Sequence, residues 1–118
     1  MIDGANSSAT TVAAGTTPYA VAVNPLTNKI YVANFTRHNV PVLDAATNSV
    51  TTVAAGTNPT AIAINPVTNQ IYVANYGSNN VTVIDGATNG VTNVAAGSEP
   101  WAVAVNPVTN KIYVTNNL

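Results

Sequence analysis

The sequence predicts an all-β chain of β-propeller blades, each of four antiparallel strands, and three observations carry that expectation. One unit of 41 residues is written almost three times, with Pro18, Pro59 and Pro100 opening the copies. Residues 18–58 match residues 59–99 at 25 of 41 positions, and many differences are Val/Ile or Leu/Val exchanges. Each unit breaks into several short β-branched runs punctuated by Asn, Pro and Gly, the pattern of a blade. No apolar stripe of helical period lasts beyond two turns, so helix is not expected anywhere.

The elements of the first full copy follow in order. Residues 18–23 form strand A, whose alternating Ala and Val suit the crowded position nearest a propeller axis. Residues 24–28 turn the chain, because Pro25 presets φ and Asn28 tolerates the left-handed conformation that a tight hairpin needs. Strand B covers residues 29–33 and is apolar on successive positions (Ile30-Tyr31-Val32-Ala33). A strand of that kind is covered on both faces, here by the neighbouring blades. After a loop over 34–38 comes strand C at residues 39–43, then a second turn at 44–48. Strand D occupies residues 50–53, and Gly56 lets the chain swing to the next proline. Loops this short make each strand pair antiparallel with the next.

Composition narrows the function classes. Hydrophobic residues make up 47% of the chain and charged residues 6%, with net charge −1. Only Lys29, Arg37 and Lys111 are basic, so no patch exists to neutralise phosphates and nucleic acid is not an expected partner. Near-zero net charge favours self-association. The absence of cysteine removes disulfides and thiolate metal sites. Apolar runs are too short for a membrane-spanning helix, so membrane insertion is not expected either. There is no basic and hydrophobic leader at the start of this numbering.

Strand B and its exit read Tyr31-Val32-Ala33-Asn34, Tyr72-Val73-Ala74-Asn75 and Tyr113-Val114-Thr115-Asn116. With Asn-Pro-x-Thr-Asn before the tetrapeptide and Asp-x-Ala-Thr-Asn after it, the chain resembles the YVTN β-propeller repeat family over essentially its whole length. The resemblance implies four-stranded blades of the kind found in surface-layer and other extracellular proteins of prokaryotes, acting as scaffold or adhesion modules. It carries over no catalytic residues, and it places the chain outside the cell or at its surface. The departure from the family is length, since its members hold enough repeats to close a ring.

In the 41-residue frame, residues 1–17 supply the end of a strand C and a strand D, 18–58 and 59–99 are full blades, and 100–118 supply strands A and B. About five residues of the frame, those matching 78–82, have no counterpart. Three blades are too few to close a ring within one chain. The expected partner is therefore the chain itself, each A–B half pairing with the next chain's D. A cyclic homodimer of six blades is favoured over a homotrimer of nine, because six lies within the usual range. Ile2 and Val12 from one terminal half, and Ile112, Tyr113 and Val114 from the other, are the closure residues. The alternative is that the sequence is a fragment of a longer surface protein.

The turns at 24–28 and 44–48 hardly vary between copies, whereas changes of chemical type gather in the D–A and B–C loops on the opposite face. Tyr19, Thr60 and Trp101 share one frame position, Glu99 stands beside it, and Phe35, Arg37 and His38 stand where Tyr76 and its neighbours stand in the next copy. These eight residues are the candidate binding face for a protein or glycan partner; drift in exposed loops is the plainer account. Asp3, Asp44 and Asp85 recur once per copy and read as Asx-turn residues rather than metal ligands, because one carboxylate per turn forms no cluster. His38 is the single histidine and has no activating Ser motif near it, so no enzyme activity is expected. No cofactor or metal is called for.

Overall fold

The computed structural model describes residues 17–117 and is all-β, with ten strands in antiparallel sheets. The first sheet runs β1 (Pro18–Asn24), β2 (Lys29–Asn34), β3 (Asn39–Asp44) and β4 (Ser49–Ala54), in that spatial order. The second repeats it as β5 (Pro59–Asn65), β6 (Gln70–Asn75), β7 (Asn80–Asp85) and β8 (Val91–Ala95). Among the described residues the third sheet holds two strands, β9 (Pro100–Asn106) and β10 (Lys111–Asn116). The sequence-based strands A to D fall on β1 to β4, which run one residue further at most ends. The half-blade expected over residues 1–17, with Ile2 and Val12, lies outside the described residues except for Thr17.

The turns explain the regularity. Asn28, Asn48, Asn69, Asn89 and Asn110 close their hairpins at φ between 55° and 61°, the left-handed region that Asn accepts most readily after Gly. Each turn is also held from its first residue: Asn24 Oδ1 accepts from Leu26 N at 3.0 Å, and Asp44 and Asp85 accept from Ala46 N and Ala87 N at 2.9 Å. Asp44 and Asp85 are thus Asx-turn residues; Asp3 lies outside the described residues.

Sheets pack face to face, and period-two alternation gives each strand one row of side chains on either face of its sheet. Tyr31, Val40, Val42 and Val53 of the first blade meet Ile71, Val73 and Ile84 of the second in one buried cluster, with Ile62 and Ile64 packed against it. β6 is buried along nearly all of its length because a sheet stands on each side of it. Amides tie both pairs of adjacent sheets at the turns that follow β1, β5 and β9. Asn24 Nδ2 donates to Asn69 Oδ1 at 3.0 Å, and Asn65 Nδ2 donates to Asn110 Oδ1 at 2.9 Å. Asn24 and Asn65 are fully buried, so these bonds satisfy groups that would otherwise lose their hydration uncompensated.

Candidate functional site

Because strands alternate in direction, the D–A and B–C loops meet at one end of the stack, and the hydrogen bonds between them fix that end. Tyr76 N and Gly77 N donate to Asn58 O and Thr57 O at 3.0 and 2.9 Å. Asn58 Nδ2 donates to Phe35 O at 3.2 Å, and Asn58 N donates to His38 Nδ1 at 3.0 Å. One blade later Glu99 N donates to Asn79 Oδ1 at 2.9 Å, so His38 does in one loop what Asn79 does in the next. The Nδ1 of His38 accepts and therefore carries no proton in this arrangement.

On this frame four aromatic rings run in a continuous line. Phe35 and Tyr19 are 5.1 Å apart between centroids, Tyr19 and Trp101 6.1 Å, and Trp101 and Tyr76 5.5 Å. The last two pairs are edge-to-face, with interplanar angles of 81° and 83°, the arrangement that ring quadrupoles favour. Tyr19 and Trp101 belong to first and third blades and meet because the equivalent residue between them is the short Thr60. Thr60 is buried, and its Oγ1 lies 2.9 Å from Trp101 O and 3.3 Å from Ala74 O. It supports the line of rings from the adjacent strand and is itself inaccessible. Trp101 nevertheless stays 45% exposed and Tyr19 52% exposed, so the line is an open ledge. Beside it the Glu99 carboxylate, with some burial and a hydrogen bond, holds the Tyr76 hydroxyl above its ordinary pKa. Glu99 sits at φ 50°, where its copy Asn58 is the easier residue. Arg37 and His38 stand exposed in the neighbouring B–C loop.

Of the sequence-derived face, then, Tyr19, Phe35, Tyr76, Trp101 and Glu99 come together, Thr60 lies under them, and His38 serves the loop framework. Sequence reasoning passed over Asn34 and Asn75, both buried. Asn75 Nδ2 reaches Asn80 Oδ1 at 3.0 Å and Thr82 Oγ1 at 2.8 Å and so clamps the B–C loop. The signal was present, since Asn ends the Tyr-Val-x-Asn run in every copy. Among the described residues no group of three metal-ligating side chains occurs.

A second feature lies along the third sheet. Tyr72, Val81, Val83, Val94, Ile112 and Val114 line an apolar groove of about 340 Å³ between the second blade and β10. One repeat earlier their counterparts are Tyr31, Val40, Val42, Val53, Ile71 and Val73, all members of the buried cluster. The same side chains that make a core between the first two blades thus make an open groove at the third. Exposure records the difference most clearly at one pair: Val53 is 5% exposed in the cluster, and its copy Val94 on the groove wall is 52% exposed. At the other end of the stack Val21 is 66% exposed, although its copy Ile62 packs against the cluster.

No family model matches the chain, and no curated protein is similar to it. Solved structures are. The chain is similar to the hydrazine synthase of Kuenenia stuttgartiensis, with a TM-score of 0.78 and 27% identity over 85% of this chain and 29% of that one. It is also similar to a functionally unknown protein of Desulfotomaculum acetoxidans (TM-score 0.75, 18% identity, 86% of this chain and 36% of that one). A chain of a nidogen/laminin complex follows at TM-score 0.73 and 14% identity, over 84% of this chain and 39% of that one. These neighbours are β-propeller-type proteins, and the chain spans well under half the length of each.

Proposed function

We propose that this chain is a non-enzymatic β-propeller repeat module that assembles with copies of itself into a closed ring and serves as a structural or adhesive scaffold. The observation that carries this reading is the groove at the third sheet, whose walls are residue-for-residue those of the buried first interface. Apolar walls of that kind gain about 25 cal/mol for each Å² removed from water, so burying them is a strong drive to associate. Two copies give six blades and three give nine; six is favoured on the usual size range of such rings. The resemblance to YVTN repeats supports a place at the cell surface and a protein partner for the loop face. His38, whose Nδ1 is occupied by the inter-blade bond to Asn58, supports a framework role rather than a catalytic one.

The test is solution mass by light scattering over a dilution series. A stable species near twice the 12.0 kDa chain mass is expected, with three times that mass as the nine-bladed outcome. A well-folded species of single-chain mass at high concentration sinks the proposal and favours a piece of a longer propeller.

A second reading, glycan or small-molecule binding, is favoured by the aromatic ledge. Two half-exposed rings beside a carboxylate are suited to stacking on a sugar face while hydrogen-bonding its hydroxyls. Glycan-array binding lost in Trp101→Ala supports it; silence across the array removes it.

A further inference from the structure

We infer that the groove at the third sheet is filled by the first residues of a second copy, with Met1, Ile2 and Asp3 laid antiparallel against β10 in one register. This rests on the assembly proposed above and names the segment that performs it. The buried cluster between the first two blades has one member with no counterpart in the groove: Ile84 of β7. One repeat later its position falls beyond residue 118; two repeats earlier it is Ile2, within Met1-Ile2-Asp3 matching Val83-Ile84-Asp85.

Strand pairing supplies the register. β6 pairs with β7 as Gln70 with Asp85, Ile71 with Ile84 and Tyr72 with Val83. β2 pairs with β3 as Lys29 with Asp44, Ile30 with Leu43 and Tyr31 with Val42. Carried to the third blade, the same rule sets Lys111 opposite Asp3, Ile112 opposite Ile2 and Tyr113 opposite Met1. A large aliphatic pair recurs at the centre, and an opposite-charge pair flanks it as in the first blade. Directly opposed charges of unlike sign favour a register, and a slip by one residue sends every side chain to the wrong face. Ile2 would then close the groove as Ile84 closes the buried cluster.

The donor is a second molecule for a geometric reason. Residues 14–17 match the short connection 55–58 that joins β4 to β5. By repeat equivalence that connection would tether residues 8–13 at the β1 side of the stack, where Val21 lies exposed, whereas β10 is at the opposite side.

The chain has no cysteine, so one introduced pair reports this contact cleanly. Residues directly opposite on antiparallel strands have Cα atoms about 4.5–5.5 Å apart, inside the range a disulfide spans. Mild oxidation of the Ile2→Cys/Ile112→Cys variant is expected to remove the single-chain band from a non-reducing gel, leaving covalent dimers or trimers. Equal mixing of the two single-cysteine variants should give one inter-chain link per pair of chains. Moving the second cysteine by one residue (Ile2→Cys/Tyr113→Cys) should slow linking at least tenfold. As a second probe without cysteine, Lys111→Asp should weaken assembly about tenfold or more, and adding Asp3→Lys should restore it. An intramolecular disulfide overturns the inference by making the donor the same chain. Absence of linking in a species that light scattering finds multimeric overturns the register but leaves the assembly standing, whereas a single-chain mass removes both.

Discussion

Val53 and Val94 occupy one frame position, yet Val53 is 5% exposed in the cluster between the first two blades and Val94 is 52% exposed on the groove wall. Truncation to alanine removes two carbons from each. At about 0.8 kcal/mol per buried carbon, plus a cavity that a stiff sheet interface closes poorly, Val53→Ala should cost about 2–3 kcal/mol. In a lone chain Val94→Ala removes carbons already half in water and should cost less than about 1 kcal/mol. In a ring the groove is closed and the two positions become equivalent, so Val94→Ala should also approach about 2–3 kcal/mol. The assay is urea unfolding of both variants at a chain concentration where the wild type is fully assembled, repeated at several dilutions. Reasoning from repeat equivalence is refuted if Val94→Ala stays within about 0.5 kcal/mol of wild type while Val53→Ala bears its full cost.

Further expectations concern the loop framework and the core. His38→Asn should keep the acceptor for Asn58 N–H and leave thermal stability nearly unchanged, whereas His38→Ala should cost about 1 kcal/mol by calorimetry. At Gly56 a Cβ would stand 2.5 Å from Ser78 Oγ and 2.7 Å from Asn80 Oδ1, so Gly56→Ala should destabilise by about 1–3 kcal/mol in denaturant unfolding. The Tyr31 hydroxyl is buried with no hydrogen-bond partner among the described residues, while Tyr72 Oη donates to Gln70 Oε1 at 2.9 Å. Tyr31→Phe should therefore be neutral or stabilising, and Tyr72→Phe should lose about 0.5–1.5 kcal/mol.

How much was legible in the sequence differs between backbone and faces. Strand limits were readable because each turn carries its own chemistry: Asn28, Asn48 and their copies mark left-handed positions, and Asn24 or Asp44 marks the turn's first residue. Burial of strand B on both sides was readable from the unbroken Ile-Tyr-Val-Ala run, and β6 bears it out. The aromatic face was legible as a set of variable positions but not as a line of touching rings. Ring contact depends on blade spacing and on the shortness of Thr60, and neither is written in a single repeat. Thr60 itself shares a position with Tyr19 and Trp101, and a shared position does not reveal that the smaller side chain will be covered by the larger two. His38 looked like a stray loop residue because imidazole and amide are unlike in type, although either can accept one N–H bond. The groove was legible in part: Ile112 and Val114 were expected at the closure, but the second-sheet wall of Tyr72, Val81, Val83 and Val94 consists of ordinary core residues that no single repeat distinguishes.

A closed ring requires the outer edge of β10 to be covered by strands from another copy. Hydrogen exchange at the β10 amides that point away from β9, followed in the assembled wild type, tests that edge directly. Those amides are expected to be protected to within about tenfold of their counterparts in β6, which sits between two strands of its own sheet. Exchange at the rate of an unpaired edge, in a sample concentrated enough for full assembly, would contradict it.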